Sequence, residues 1–120
     1  MDSSNIWEPP VFEPENMLET KARIFHASNP HVLALAESLA AEALKVMPKI
    51  GMKMIWERMR WHFAIDTYET SLNPDTGEPL KLNNIYHAYY ARWLLIRNPA
   101  WFGRIRIRQT GAGRNDTVTT

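Results

Sequence analysis

Cysteine is absent from the 120-residue chain, and its absence removes disulfides, thiolate zinc sites and thiol nucleophiles together. Nothing then speaks for an oxidising compartment, and a reducing cytosol is the expected setting. Long apolar runs are missing too. No stretch approaches the roughly 18 residues that suggest a membrane span, so no membrane partner is expected. The first twenty residues carry Asp2, Glu8, Glu13, Glu15 and Glu19 without a Lys or Arg, the wrong sign for the n-region of a signal peptide. Enzyme signatures are lacking as well: there is no Gly-rich phosphate loop, no G-x-S-x-G elbow and no H-E-x-x-H pair. His26, His31, His62 and His87 have no close metal-ligand spacing. Asp66 and Glu69, three apart in an expected strand, fall on opposite faces. The chain is expected to act by binding, without catalysis, metal or cofactor.

What is present is one domain's worth of ordinary globular sequence, 45% hydrophobic and 22% charged, with enough apolar residues for a single core. The net charge of +1 is unevenly spread: the acidic first twenty residues leave +6 for the remaining hundred. One basic block holds Lys45, Lys49, Lys53, Arg58 and Arg60 against Glu57. The other holds Arg92, Arg97, Arg104, Arg106 and Arg108 with no acid between them. A basic body behind an acidic leader suits a polyanion partner, and it equally suits a leader that docks on its own protein.

Residues 1–14, interrupted by Pro9, Pro10 and Pro14, cannot sustain a helix and read as an extended arm, with Trp7, Val11 and Phe12 as its anchors. A single globular domain is expected over 15–109. Its first helix runs from Glu15 to about Ala27. Ser28 or Asn29 then serves as N-cap with Pro30 at the first helical position. A second helix follows, with a wide apolar stripe that includes Leu35 and Leu39, and ends at Pro48. Four residues later a third carries Met52, Ile55, Trp56, Met59 and Phe63 at helical spacing. Two helices around a Gly-bearing turn form a helix-turn-helix shape, as would any αα-corner. From Ile65 the β-forming run I-D-T-Y-E-T-S-L and the turn signal N-P-D-T-G-E-P predict a hairpin or structured loop. The fourth helix begins near Asn83, its cap, and ends at Asn98-Pro99. Then R-I-R-I-R at 104–108 alternates as a strand does, and 110–120 should be a disordered tail. The fold class expected is mainly α with a small β element, about four helices, helix-turn-helix or winged-helix-like. The β element is expected to join residues near 65–70 to 104–108.

The fourth helix, within K-L-N-N-I-Y-H-A-Y-Y-A-R-W-L-L-I-R, is richer in polar-tipped rings than a packing helix needs. Ile85, Ala88, Tyr89, Trp93 and Ile96 form the stripe expected to face the core, leaving Asn84, His87 and Arg97 on the other face. Asn can read adenine in a major groove, and Lys and Arg neutralise phosphates. The competing reading is an ordinary solvated face. Helix three offers Lys53, Arg58 and Arg60 in the same way, and Lys81 precedes helix four. Arg104, Arg106 and Arg108, on one side of a short strand, form a cationic ridge suited to a phosphate backbone, or alternatively an edge strand blunted by charge.

The stretches F-H-A-S-N-P-H-V at 25–32, G-M-K-M-I-W-E-R-M-R-W at 51–61 and K-L-N-N-I-Y-H-A-Y-Y-A-R at 81–92, followed by N-P and a short arginine-bearing strand, resemble a widespread family of small phage and prophage proteins. The likeness covers roughly residues 20–108. The members of that family are mostly without assigned function, so the resemblance implies a phage origin and a cytosolic role during infection. The acidic leader, the N-P-D-T-G-E-P insertion and the polar tail depart from it. Two functions are therefore expected in competition. One is a DNA-binding protein, of a kind that can serve regulation, that meets double-stranded DNA through helix three or four and the arginine strand. The other is a protein that binds and inhibits a host protein, such as a defence nuclease or a transcription component.

Overall fold

The computed structural model describes residues 6–66, 76–78 and 80–107. They build a mainly helical domain with four α-helices and a two-stranded β element: α1 (Met17–Ser28), α2 (Pro30–Leu44), β1 (Ile50–Gly51), α3 (Met52–Trp61), α4 (His87–Arg97) and β2 (Ile105–Arg106). A π-helical turn, His62–Asp66, extends α3, and 3₁₀ turns at Asn84–Tyr86 and Pro99–Trp101 flank α4. Helix count and approximate positions are those the periodicity predicts.

Local chemistry sets the helix ends. Asn16 caps α1 by accepting the N–H of Glu19 at 2.9 Å, the first half of a capping box. Glu19 reaches past its usual partner and accepts the N–H groups of Phe12 at 2.6 Å and Glu13 at 2.7 Å. Its carboxylate is thereby buried as a clamp on the arm. Asn29 stands between α1 and α2 at φ -137° and ψ 63°, outside the helical region that a following proline disfavours. Its side chain donates to the Phe25 carbonyl at 3.1 Å, so it seals the end of α1 and does not cap α2 as expected. α2 stops at Leu44, before Pro48, and the connection to α3 is correspondingly longer than the four residues anticipated. Three carbonyls, of Leu44 at the end of α2 and of Met47 and Pro48 in the connection, accept from the Arg104 guanidinium at 2.9–3.4 Å, which gives a partner to a helix-end group that has none within the helix and ties down the loop that follows.

The β element differs from the expected pairing. β1 and β2 run parallel, with Ile50 opposite Ile105 and Gly51 opposite Arg106. Ile65 and Asp66, assigned above to the strand run, belong instead to the π-helical turn; residues 67–70 lie outside the described residues. The reason is visible in the packing. Phe63 is buried and holds the chain helical past Trp61, Asp66 sits 3.6 Å from Arg58 and 3.7 Å from His62, and buried Ile50 takes the place beside Ile105.

The core is centred on Trp56, Met52 and Met59 of α3, Tyr90, Trp93 and Leu94 of α4, Val32 of α2 and Ile50 of β1, all under 2% exposed. Small residues Ala36 and Ala40, fully buried on α2, let the large rings approach. Leu35 and Leu39 are only half-buried. α4 departs from its expected phase: Ile85 and Ile96 are more than 40% exposed while His87, Tyr90, Ala91 and Leu94 are inside. The 3₁₀ start at Asn84–Tyr86 winds three residues per turn instead of 3.6 and displaces the stripe. The arm then covers a second side of the helix.

The arm packs on α1 and α4. His26 Nε2 donates to the Trp7 carbonyl at 2.8 Å and Arg23 to the Pro9 carbonyl at 2.8 Å. Trp7 lies 5.2 Å under the Arg97 guanidinium and Phe12 lies 5.7 Å under that of Arg92. The arm thus runs antiparallel to α4 with a ring on each of two of its arginines, contacts of the cation–π kind. Burial, with the Glu13 carboxylate adding to it, raises the Tyr89 phenol above its ordinary pKa.

Candidate nucleic-acid interface

The polar-tipped rings of α4 are chiefly core. Tyr90 packs 5.0 Å from Trp56 and 4.8 Å from Trp93, centroid to centroid, and His26 closes the cluster 5.7 Å from Trp93. Burial pushes the Tyr90 phenol far above its usual value, so it stays neutral. The aromatic content that singled out this helix thereby serves packing with few specific geometries.

Several residues expected to meet DNA are committed elsewhere. His87 is buried, 5% exposed, and burial, then the charge of Lys53, lowers its pKa; it lies inside the α4 interface and presents no edge to a groove. Asn84 accepts from Arg60, whose guanidinium also binds the Leu82 carbonyl at 2.7 Å and both oxygens of Glu57 at 2.6 Å. Arg60 is therefore a tie between α3 and the start of α4. Arg97 makes a two-pronged bond to Glu37 at 2.9 and 3.0 Å, and Asn98 adds a third at 2.8 Å. These bonds hold the Glu37 carboxyl below its ordinary range and raise Arg97. Lys53 stands 3.6 Å from Glu57, Arg58 3.6 Å from Asp66 and Lys81 3.8 Å from Glu78, exposed pairs of the weak surface kind. Arg104 is held by its three carbonyls. Arg108 lies outside the described residues.

A different set of cations is brought together around the β element. Along β1 and β2 the isoleucines Ile50 and Ile105 are buried and Arg106 is exposed; exposed Lys49 directly precedes β1, and half-buried Arg104 directly precedes β2. Lys45 caps the adjoining end of α2. Among the described residues Lys45, Lys49 and Arg106 have no ion-pair partner. The sequence accounts for this: residues 43–56 and 79–115 contain no Asp or Glu at all, and the parallel pairing lays one acid-free segment against the other. Opposite Arg106 stands Gly51, around whose missing Cβ there is open space. Lys45 and Lys49 were passed over as contacts because their basic block was read through α3; the acid-free stretch was the signal that could have found them. Of the arginines in R-I-R-I-R, Arg106 is exposed and has no ion-pair partner among the described residues.

No group of three or more metal-ligating side chains occurs among the described residues, and none of the described helices is long and apolar enough to cross a membrane. No family model, curated protein or solved structure matches the chain.

Proposed function

We propose that the chain is a small phage-type DNA-binding protein, and that it grips the phosphate backbone through the outer face of the β element and the end of α2. The observation that supports this best is the set of Lys45, Lys49 and Arg106, exposed and without an ion-pair partner among the described residues, and drawn from two acid-free segments. Structural arginines such as Arg60, Arg97 and Arg104 find partners within the protein; these three cations are left to solvent, where they serve to neutralise phosphates and release counterions. The proposal uses a reduced winged-helix-like arrangement, a basic β element beside helices, with anchoring assigned to the basic face and no base-reading role assigned to His87.

The test is binding of a labelled random duplex at about 50 and 200 mM salt, where several phosphate contacts should weaken affinity by orders of magnitude. Lys49→Ala and Arg106→Ala should each lower affinity for all sequences and flatten the salt slope by about one unit. Micromolar protein that leaves the duplex unshifted at the lower salt would dispose of the proposal. A second reading, binding and inhibition of a host protein, is favoured by the exposed apolar side chains Met54, Trp61 and Ile65, which recur along one side of α3 and its π-helical extension.

A further inference from the structure

Beside the cationic cluster stands a ring that packing does not explain. Phe102 is 80% exposed, yet the backbone on both sides of it is tightly fixed. Its N–H donates to the Pro99 carbonyl at 3.1 Å, closing the 3₁₀ turn, and the N–H of Arg104 donates to the Trp101 carbonyl at 2.8 Å. Between them Gly103 takes φ 82°, a left-handed conformation natural to glycine. Trp101 before it packs against the core, and Arg104 after it is tied to the end of α2 by its three carbonyl bonds. The ring is therefore carried on a stiff tip. On the segment that Arg104 grips, Val46 is 83% and Met47 42% exposed. Single exposed apolar residues are common on protein surfaces. Here the exposed apolar side chains and the cations Lys45, Lys49 and Arg106 belong to two segments, 45–49 and 102–106, that the Arg104 bonds tie together, which makes a stacking surface with cations on the same segments.

We propose that Phe102 stacks on an unstacked nucleobase while the cations hold the flanking phosphates. The inference rests on the polyanion reading above and names the form of polymer that this site takes. Every base offers a π-face, so stacking tolerates any sequence, and aromatic rings in basic surroundings recur in proteins that hold open strands. Apolar wedges between base steps are likewise used to kink duplexes. The shared chemistry is a base free of its stack next to a charged backbone, supplied by a single strand or by a distorted duplex. The absence of carboxylates from both turns favours a polyanion over a protein surface.

The experiment measures fluorescence polarisation of three probes of one sequence: an intact duplex, the same duplex with one central unpaired base, and the single strand. Wild type, Phe102→Ala, Phe102→Trp and Arg106→Ala are compared at two salt concentrations, with melting curves to establish that each is folded. The expected result is tighter binding to one or both open probes by about tenfold. Phe102→Ala should lose that advantage with its salt slope intact, Phe102→Trp should keep it, and Arg106→Ala should weaken all three probes alike. An advantage confined to the bulged duplex supports a wedge in double-stranded DNA, and one confined to the single strand supports an open-strand platform. If Phe102→Ala binds all three probes as wild type does, the stacking proposal is overturned while the phosphate reading stands. If no probe shows salt-sensitive binding, both are overturned. Stronger, Phe102-dependent binding to phosphatidylserine vesicles than to any probe would overturn it in favour of an anionic membrane surface.

Discussion

Arg104 stands just before β2 and Arg106 within it, and the fold uses them differently. Arg104 donates to the carbonyls of Leu44, Met47 and Pro48. Hydrogen bonds from a charged donor are worth about 1.5–3 kcal/mol, so Arg104→Ala should lower the melting temperature by several degrees in a domain of this size. Arg106→Ala should leave it unchanged, since Arg106 has no partner among the described residues. Equal melting shifts for the two would show that the distinction is wrong. His87 supplies a second residue-scale expectation. Its pKa in the folded protein lies below the ordinary value, first because it is buried and second because of Lys53. Below about pH 6.5, the ordinary histidine value, the unfolded chain takes up the proton more readily than the folded one. Stability that is complete above that pH is therefore lost as pH falls toward the folded value. His31, lowered by burial and by neighbouring His62, acts in the same direction. Thermal melts from pH 7.5 to 5 should show the decline, and His87→Leu should flatten it. The interval lies above the ordinary carboxylate range, so Glu37, lowered by Arg97, contributes its own loss only at more acid pH.

At the scale of elements, α4 shows which information the sequence carries and which it does not. Its existence, its Asn83 start signal and its Asn98-Pro99 stop are local chemistry and were legible. Trp93 and Tyr89 were placed inside correctly; Ile85 was not. The phase could not be read because it depends on the 3₁₀ turn that precedes the helix and on the arm that covers one side of it, both tertiary facts. Ile55, Trp56 and Met59 of α3, with no such neighbour, were placed correctly from spacing alone. The β element illustrates the same limit, since a two-residue strand pairing across more than fifty residues leaves no local trace of its partner. Of the candidate site, the alternation of R-I-R-I-R marked the short strand Ile105–Arg106, but the commitment of Arg60, Arg97 and Arg104 to internal acceptors was not legible. Two expectations follow for the elements. Trp93→Ala, which removes a fully buried ring, should cost about 3–5 kcal/mol. Glu19→Ala deletes the clamp on the arm, and hydrogen exchange should then speed up at Phe12 and Glu13 while amides of α3 keep their protection. Exchange that rises uniformly through the domain would mean that the arm is inseparable from the core.

Taken whole, the molecule segregates its surfaces. The arm is spent on one side of α1 and α4, where Trp7 and Phe12 lay their rings on Arg97 and Arg92 and Glu37 pairs with Arg97, while Lys45, Lys49 and Arg106, without an ion-pair partner among the described residues, stand at the β element. The apolar side of α3 is separate from it: Trp61 lies ten residues beyond Gly51, about 15 Å along a helix. The two competing functions therefore sit on two surfaces that substitution can separate. Reversing charge at the ridge with Lys49→Glu and Arg106→Glu replaces attraction to phosphate by repulsion at two points. That should reduce duplex affinity by far more than the single alanine variants and leave the melting temperature nearly unchanged, because neither side chain is paired among the described residues. Trp61→Ala, at a side chain 58% exposed, should leave both duplex affinity and stability as they are. Under the host-protein reading the pattern inverts: the charge reversals would be silent, and Trp61→Ala would cost the loss of a stoichiometric partner recovered from host lysate by the wild type. Polarisation with a duplex and capture from lysate, run on the same set of variants, assign the function to one surface or the other.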